Sequence, residues 1–171
     1  MKNRKRGFSL VELLIVLAVI AALIATITPV ALNAIRKSQA TKVAQNIKTL
    51  AASIENAAYV NGTYDEKIKH GPADADVLDG NTGHDISLLA RDIDTGSYGI
   101  SYYYDDATDA KKYRVIVYTN EDVDASTANS VLSGLTTTVS NDFETEDASL
   151  VTLGIGYDAS YLVYEFSFDV Y

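Results

Sequence analysis

FSLVELLIVLAVIAALIATITPVALNAI, residues 8–35, is the stretch whose reading decides how the rest of the chain is arranged. Its 28 residues carry one charge, Glu12, and no glycine. About 20 apolar residues are enough to cross a bilayer as a helix, so this segment is long enough to span. Four basic groups precede it: Lys2, Arg4, Lys5 and Arg6. A basic cluster beside a span stays on the cytoplasmic side, which sends everything after Ile35 outward. A conventional cleaved secretory signal is the alternative, and it predicts an apolar run of roughly 7–15 residues ending in an A-x-A site. The run here is much longer, and no A-x-A occurs within the helical pattern.

Glu12 stands out within this segment. A carboxylate inside an apolar helix is costly at membrane depth unless it is paired or sits near the interface. It is either a tolerated edge charge that snorkels to the headgroups or a group awaiting a cation from another chain. The residues alone leave both readings open.

Basic residues followed by Gly7-Phe8-Ser9-Leu10-Val11-Glu12-Leu13-Leu14 resemble the class III leader of bacterial type IV pilins and pseudopilins. The resemblance covers roughly residues 1–60 and is most specific at 4–24. It implies a leader at 1–7, a cut between Gly7 and Phe8 by a prepilin peptidase, and N-methylation of the new terminus at Phe8. It also assigns the family's assembly glutamate to Glu12 and its helix-kinking proline to Pro29. Removing the leader takes four positive charges away, leaving 10 basic and 23 acidic residues. The implied partners are other copies of the chain and other pilins in a helical filament, the peptidase/methyltransferase, and an inner-membrane assembly platform. The implied location is the cytoplasmic membrane for the precursor, with the head outside, and then an extracellular pilus or a trans-envelope pseudopilus. In a filament the Phe8 amine approaches Glu12 of a neighbour. Burying that pair is not automatically stabilising, but an unpaired carboxylate among Leu and Ile side chains punishes a wrong register.

Helical periodicity continues past the apolar stretch. Val43, Ile47, Leu50, Ile54 and Ala58 form the stripe of an amphipathic helix, with Arg36, Lys37, Lys42, Asn46, Lys48, Thr49 and Glu55 on the other faces. Asn61-Gly62 supplies a stop. The helix thus divides into a membrane and filament-core half at 8–35 and an amphipathic half at 36–60, together roughly 80 Å at 1.5 Å per residue. Pro29 lacks an N–H, so a kink or a locally melted turn is expected near Ala25–Pro29.

Residues 61–97 are polar and turn-rich and form a variable loop segment, with one short helix expected at Ile86–Arg91 behind Asp85. From residue 98 to 171 the period changes to two. Tyr98–Tyr104, Tyr113–Thr119, Leu150–Gly156 and Tyr161–Val170 read as four strands, with Asp105–Lys112 and Tyr157–Ser160 closing two hairpins. A second short helix is expected at Ala125–Leu132, capped by Asp124 or Ser126. The fold class is therefore α+β, a pilin-like long helix packed on a four-stranded antiparallel sheet.

The 171 residues contain 14 Lys plus Arg against 23 Asp plus Glu, for a net charge of −9. From Tyr64 onward the balance is 21 acidic to 6 basic. Such a surface repels phosphate backbones, so nucleic-acid binding is not expected except through a competence pseudopilus. With no cysteine there is neither a disulfide framework nor a thiolate metal site. His70 and His84 lack ligand spacing. Asp74, Asp76 and Asp79 resemble a calcium loop in composition, but Asp79 is one residue late and the closing glutamate is missing. A looser calcium site on these three, of the kind the resemblance allows, is the one metal candidate, and no cofactor is expected. Asp105-Asp106 with Asp109, and Glu144 with Glu146-Asp147, read as surface charge rather than acid–base pairs. Most of the 12 tyrosines follow residue 97 and read first as packing, with Tyr102-Tyr103-Tyr104 placing rings on both faces of one strand. Asn61-Gly62-Thr63 fits a glycosylation sequon, which carries little weight in a pilin-like bacterial chain.

The sequence reading is thus a non-enzymatic pilin-like subunit. Its nearest rival is a pseudopilin of a type II secretion or DNA-uptake system. A membrane-anchored extracytoplasmic binding module and a membrane-tethered enzyme are the readings from other classes.

Overall fold

The computed structural model describes residues 8–80, 86–105, 112–140, 143 and 149–170. Helix α1 runs over Leu10–Asn61, 52 residues. It stops where Gly62 takes a φ of +77°, a left-handed cap in which the Gly62 N–H reaches the Ala58 carbonyl at 3.0 Å. The chain forms two units, one ending at Ser38 and the other running from Gln39 to Tyr171. In the first, every described side chain is exposed.

In the second unit the sequence periodicity becomes packing. All five stripe residues, Val43, Ile47, Leu50, Ile54 and Ala58, are fully buried, in one cluster with Ile100, Tyr102, Val115, Val117 and Leu153. Burial of each aliphatic side chain contributes about 1.5–3 kcal/mol relative to exposure. The long helix thus packs against an antiparallel sheet.

That sheet contains β3 (Tyr98–Asp105), β4 (Lys112–Thr119), β6 (Val151–Gly154) and β7 (Leu162–Asp169), the four strands expected, plus a fifth, β5 (Leu135–Thr136). The order is β5-β7-β4-β3-β6. A separate hairpin joins β1 (Thr63–Tyr64) to β2 (Lys67–Ile68). The sheet's second face carries a smaller cluster of Tyr103, Ile116, Tyr118, Phe143 and Val163. Tyr102 and Tyr103 therefore point into opposite cores, as strand alternation requires.

One expected connection is corrected. Tyr157–Ser160 does not close a β6–β7 hairpin, because β6 pairs with β3 and β7 pairs with β4. Strand β7 matches all eight residues of β4, from Lys112↔Asp169 to Thr119↔Leu162, whereas β6 offers only four. The crossing chain passes the ends of β3 and β4 and is pinned there. Gly154 turns it with a φ of +77°. The Ile155 N–H then donates to the Tyr98 carbonyl at 3.1 Å, and the Tyr118 hydroxyl donates to the Ile155 carbonyl at 2.8 Å.

The two short helices are α2 (Ile86–Leu89) and α3 (Ala125–Val131). The first stops short of the expected Arg91, and its proposed cap Asp85 lies outside the described residues. Of the two cap candidates for α3 the structure selects Asp124, whose carboxylate accepts the Thr127 N–H at 2.6 Å and also bonds the Ser126 hydroxyl at 2.7 Å.

Candidate functional site: the amino end of the long helix

Phe8 precedes α1 and is 78% exposed; Gly7 lies outside the described residues. Ser9 then opens the helix. Its carbonyl accepts the Leu13 N–H at 3.2 Å, and its hydroxyl lies 3.4 Å from the Val11 N–H. In return the Ser9 N–H donates to Glu12 Oε2 at 2.9 Å. The Glu12 arm is the return half of a capping box, in which an acid at the third helical position satisfies a backbone donor that the helix leaves open. The acid also sits at the positive end of the helix dipole. Sequence reasoning treated Glu12 as an isolated charge in an apolar run and missed this role. The signal was present, since Ser9-x-x-Glu12 before an apolar run is the capping-box pattern.

Beyond the cap, Leu10 to Ile35 presents large aliphatic side chains on all sides of the helix. An 18-residue window here has a mean hydropathy of 2.9 and contains no buried residue. The chain stays helical through Pro29, so the turn before it is not melted. Pro29 supplies no N–H to the Ala25 carbonyl. Just before it, the Thr28 hydroxyl donates to the Ile24 carbonyl at 2.8 Å and the Thr26 hydroxyl to the Leu23 carbonyl at 2.9 Å.

The other candidates are placed as follows. Asp74 is ion-paired with Lys69 at 3.1 Å, and Asp76 accepts the Ala73 N–H at 3.1 Å. Asp79 is half-buried. No group of three or more His, Asp or Glu placed to hold a metal occurs among the described residues, so Asp74, Asp76 and Asp79 are not brought together. His70 is half-buried at the Gly71-Pro72 turn, and His84 lies outside the described residues. Asp105 accepts from Arg114 Nε at 2.8 Å, while Asp106, Asp109, Glu144, Glu146 and Asp147 lie outside the described residues.

The tyrosines pack. Tyr98, Tyr102, Tyr113 and Tyr118 are almost fully buried. Burial pushes the Tyr98 and Tyr118 hydroxyls up to about 12 and raises Tyr102 and Tyr113 as well. A cleft of about 400 Å³ on the second face is lined by Ser101, Ile116, Phe143, Leu150, Thr152, Gly156 and Tyr157. Its Ser101 hydroxyl is engaged by Tyr118 and Thr152, each at 3.0 Å.

Compared with known proteins, the chain matches the prokaryotic N-terminal methylation motif over residues 2–28. No curated protein and no solved structure matches it. The chain thus carries the class III prepilin leader typical of type IV pilins and pseudopilins, followed by the long helix and antiparallel sheet of a pilin-like α+β arrangement. It is a prepilin-like protein. Proteins with this motif are generally non-enzymatic structural subunits, and the leader implies processing by a prepilin peptidase. Motif and apolar helix together indicate a membrane-anchored precursor with an extracytoplasmic head.

Proposed function

We propose that the chain is a type IV pilin-like structural subunit, cut between Gly7 and Phe8, N-methylated at Phe8, and polymerised through α1 into a pilus filament. The observation that carries this reading is the exposure of the amino half of α1. Sixteen large apolar side chains from Phe8 to Ile35 are exposed while the head completes its own core. At about 2 kcal/mol each, leaving them in water costs on the order of 30 kcal/mol. Lipid covers them in the precursor, and copies of the same helix cover them in a filament. Because lipid tails and neighbouring Leu and Ile side chains are equally apolar, the helix moves between the two at little cost.

Specificity then falls to the polar end. Cleavage creates an ammonium at Phe8, four residues from Glu12. Its attraction to Glu12 of a neighbouring copy is offset by desolvation, so the pair checks register more than it adds stability. Pro29 interrupts the backbone ladder within the packed region and gives α1 a place to adjust as copies pack.

Intact mass spectrometry of the chain from a sheared surface fraction, beside the membrane fraction, tests this reading. The expected result is a mass lacking Met1–Gly7 and carrying one methyl in the sheared material. The same processed mass confined to the membrane would instead assign a pseudopilus. A full-length chain in the membrane, in cells with an active peptidase, would leave only an anchored head.

A further inference from the structure

The β1–β2 hairpin has a turn that is poorly matched to its geometry. Thr63↔Ile68 and Tyr64↔Lys67 pair across a two-residue loop, Asp65-Glu66. Both loop residues are left-handed, with φ of 49° and 64°. Such a loop favours Asn-Gly or Asp-Gly, so Asp65 suits its position and the strain falls on Glu66, where glycine is normally found. Both acids of the loop are exposed. Strain kept at an exposed tip points to a use for the side chain that causes it.

Beside the acids lies an apolar surface. Tyr59, Val60 and Tyr64 are 53%, 80% and 52% exposed. The patch is fixed to the sheet. The Tyr59 ring lies 5.8 Å from Phe168, which stacks on Tyr113 at 5.7 Å. Thr63 hydrogen-bonds the Tyr113 hydroxyl, and the Glu66 charge acts on the same phenol.

The chain carries a complement elsewhere. Val30, Leu32 and Ile35 are exposed, and Arg36 and Lys37 follow at once. From Arg36 to Lys48 there are four bases and no acid, whereas the chain from Tyr64 on has 21 acids and 6 bases.

We infer that the Tyr59/Val60/Tyr64 patch with the Asp65-Glu66 tip docks on residues 30–37 of α1 from a second copy, apolar against apolar and acid against base. The inference rests on the filament reading and adds a second contact to it, outside the Phe8/Glu12 end. Because the two patches differ, the contact is heterologous, and such contacts build open filaments when the rotation does not close.

Sheared-filament yield from full-length chains in the host tests this. Asp65→Asn with Glu66→Gly suits the turn better than the native pair, so misfolding does not explain a loss. The yield is expected to fall at least about tenfold, because both charges leave the contact. Arg36→Glu is expected to lower it similarly, and adding Glu66→Lys to restore it to within about twofold. Since the chain has no cysteine, Ile35→Cys and Tyr64→Cys on co-expressed, differently tagged chains should give a mixed disulfide dimer in filaments. Wild-type filaments whose yield tolerates these changes, or an Arg36→Glu loss that Glu66→Lys does not repair, would overturn the docking alone. A wild-type chain that forms no filaments would overturn the subunit reading and the docking with it.

Discussion

Glu12 has one donor in the structure and would gain a second under the proposed processing. It accepts the Ser9 N–H at 2.9 Å, and the proposed cut between Gly7 and Phe8 would add a charged amine at Phe8. The two roles separate in one substitution, because glutamine at this position of a capping box still accepts the backbone donor but carries no charge. Glu12→Gln should therefore leave processed chain in the membrane at the wild-type level while lowering sheared-filament yield about tenfold or more. Equal yield would remove the charge pair from the assembly step. Asp124 offers a test in the head. Hydrogen bonds from the Thr127 hydroxyl, the Ser126 hydroxyl and the Thr127 N–H lower its carboxyl from 3.8 to about 2. A group depressed by folding stabilises above its unfolded value, so this contribution is present above 3.8 and lost as pH falls toward 2. Asp124→Ala should lower the thermal midpoint of the head at neutral pH, and Asp124→Asn should lower it much less. The gap between wild type and Asp124→Ala should shrink as pH is taken through that window.

The sheet is held where β3, β4 and the β6–β7 crossing meet. A Cβ at Gly99 would run into the Tyr118 ring and would sit 2.6 Å from the Ile155 carbonyl. Gly99→Ala is expected to cost about 1–3 kcal/mol in urea unfolding, the usual range for overpacking. The same region sets the response to base. Burial raises Tyr98 and Tyr118 to about 12, and Tyr102 is also raised, from the ordinary tyrosine value of 10.0. The unfolded chain releases these protons first, so stability is complete below pH 10 and declines as pH rises toward 12. The share of tyrosinate absorbance that belongs to Tyr98, Tyr102 and Tyr118 should rise together with loss of the far-UV circular dichroism, not before it. The strands were legible because Tyr, Val, Ile and Phe recur at period two. Strand β5 was not, since Leu135-Thr136 is too short to show a period and becomes a strand only by lying on Val163 and Tyr164. Nor was the β1–β2 hairpin, because Asp65-Glu66 is not the residue pair that such a loop normally demands. The β6–β7 pairing was misread because nearness in sequence favours a hairpin, while the longer β4 ladder outcompetes it. At the candidate site the leader motif was plain, and its reciprocal cap was missed because Glu12 was weighed as a charge and not as an acceptor for the Ser9 N–H.

At the scale of the whole molecule, burial and apolar exposure are divided along the chain. The buried core residues run from Ala40 to Val170, while the large apolar surface from Phe8 to Ile35 is exposed. The amphipathic part of α1 needs nothing from residues before Gln39 to bury its stripe, because Val43, Ile47, Leu50 and Ile54 already share one cluster with the sheet. Residues 39–171 contain 22 acids and 8 bases, so copies of this part repel one another in solution. A chain beginning at Gln39 is therefore expected to fold without detergent and to sediment as a monomer. Its thermal midpoint should lie within about 5 °C of the head transition of the full chain, since little that stabilises the core is removed. Circular dichroism and sedimentation velocity check the two halves of this statement separately. A soluble but unfolded fragment would mean that the amino half of α1 nucleates the helix that the sheet packs against. A folded fragment that assembles by itself would mean that filament growth is driven by the head, and the apolar helix would then serve only as the membrane anchor.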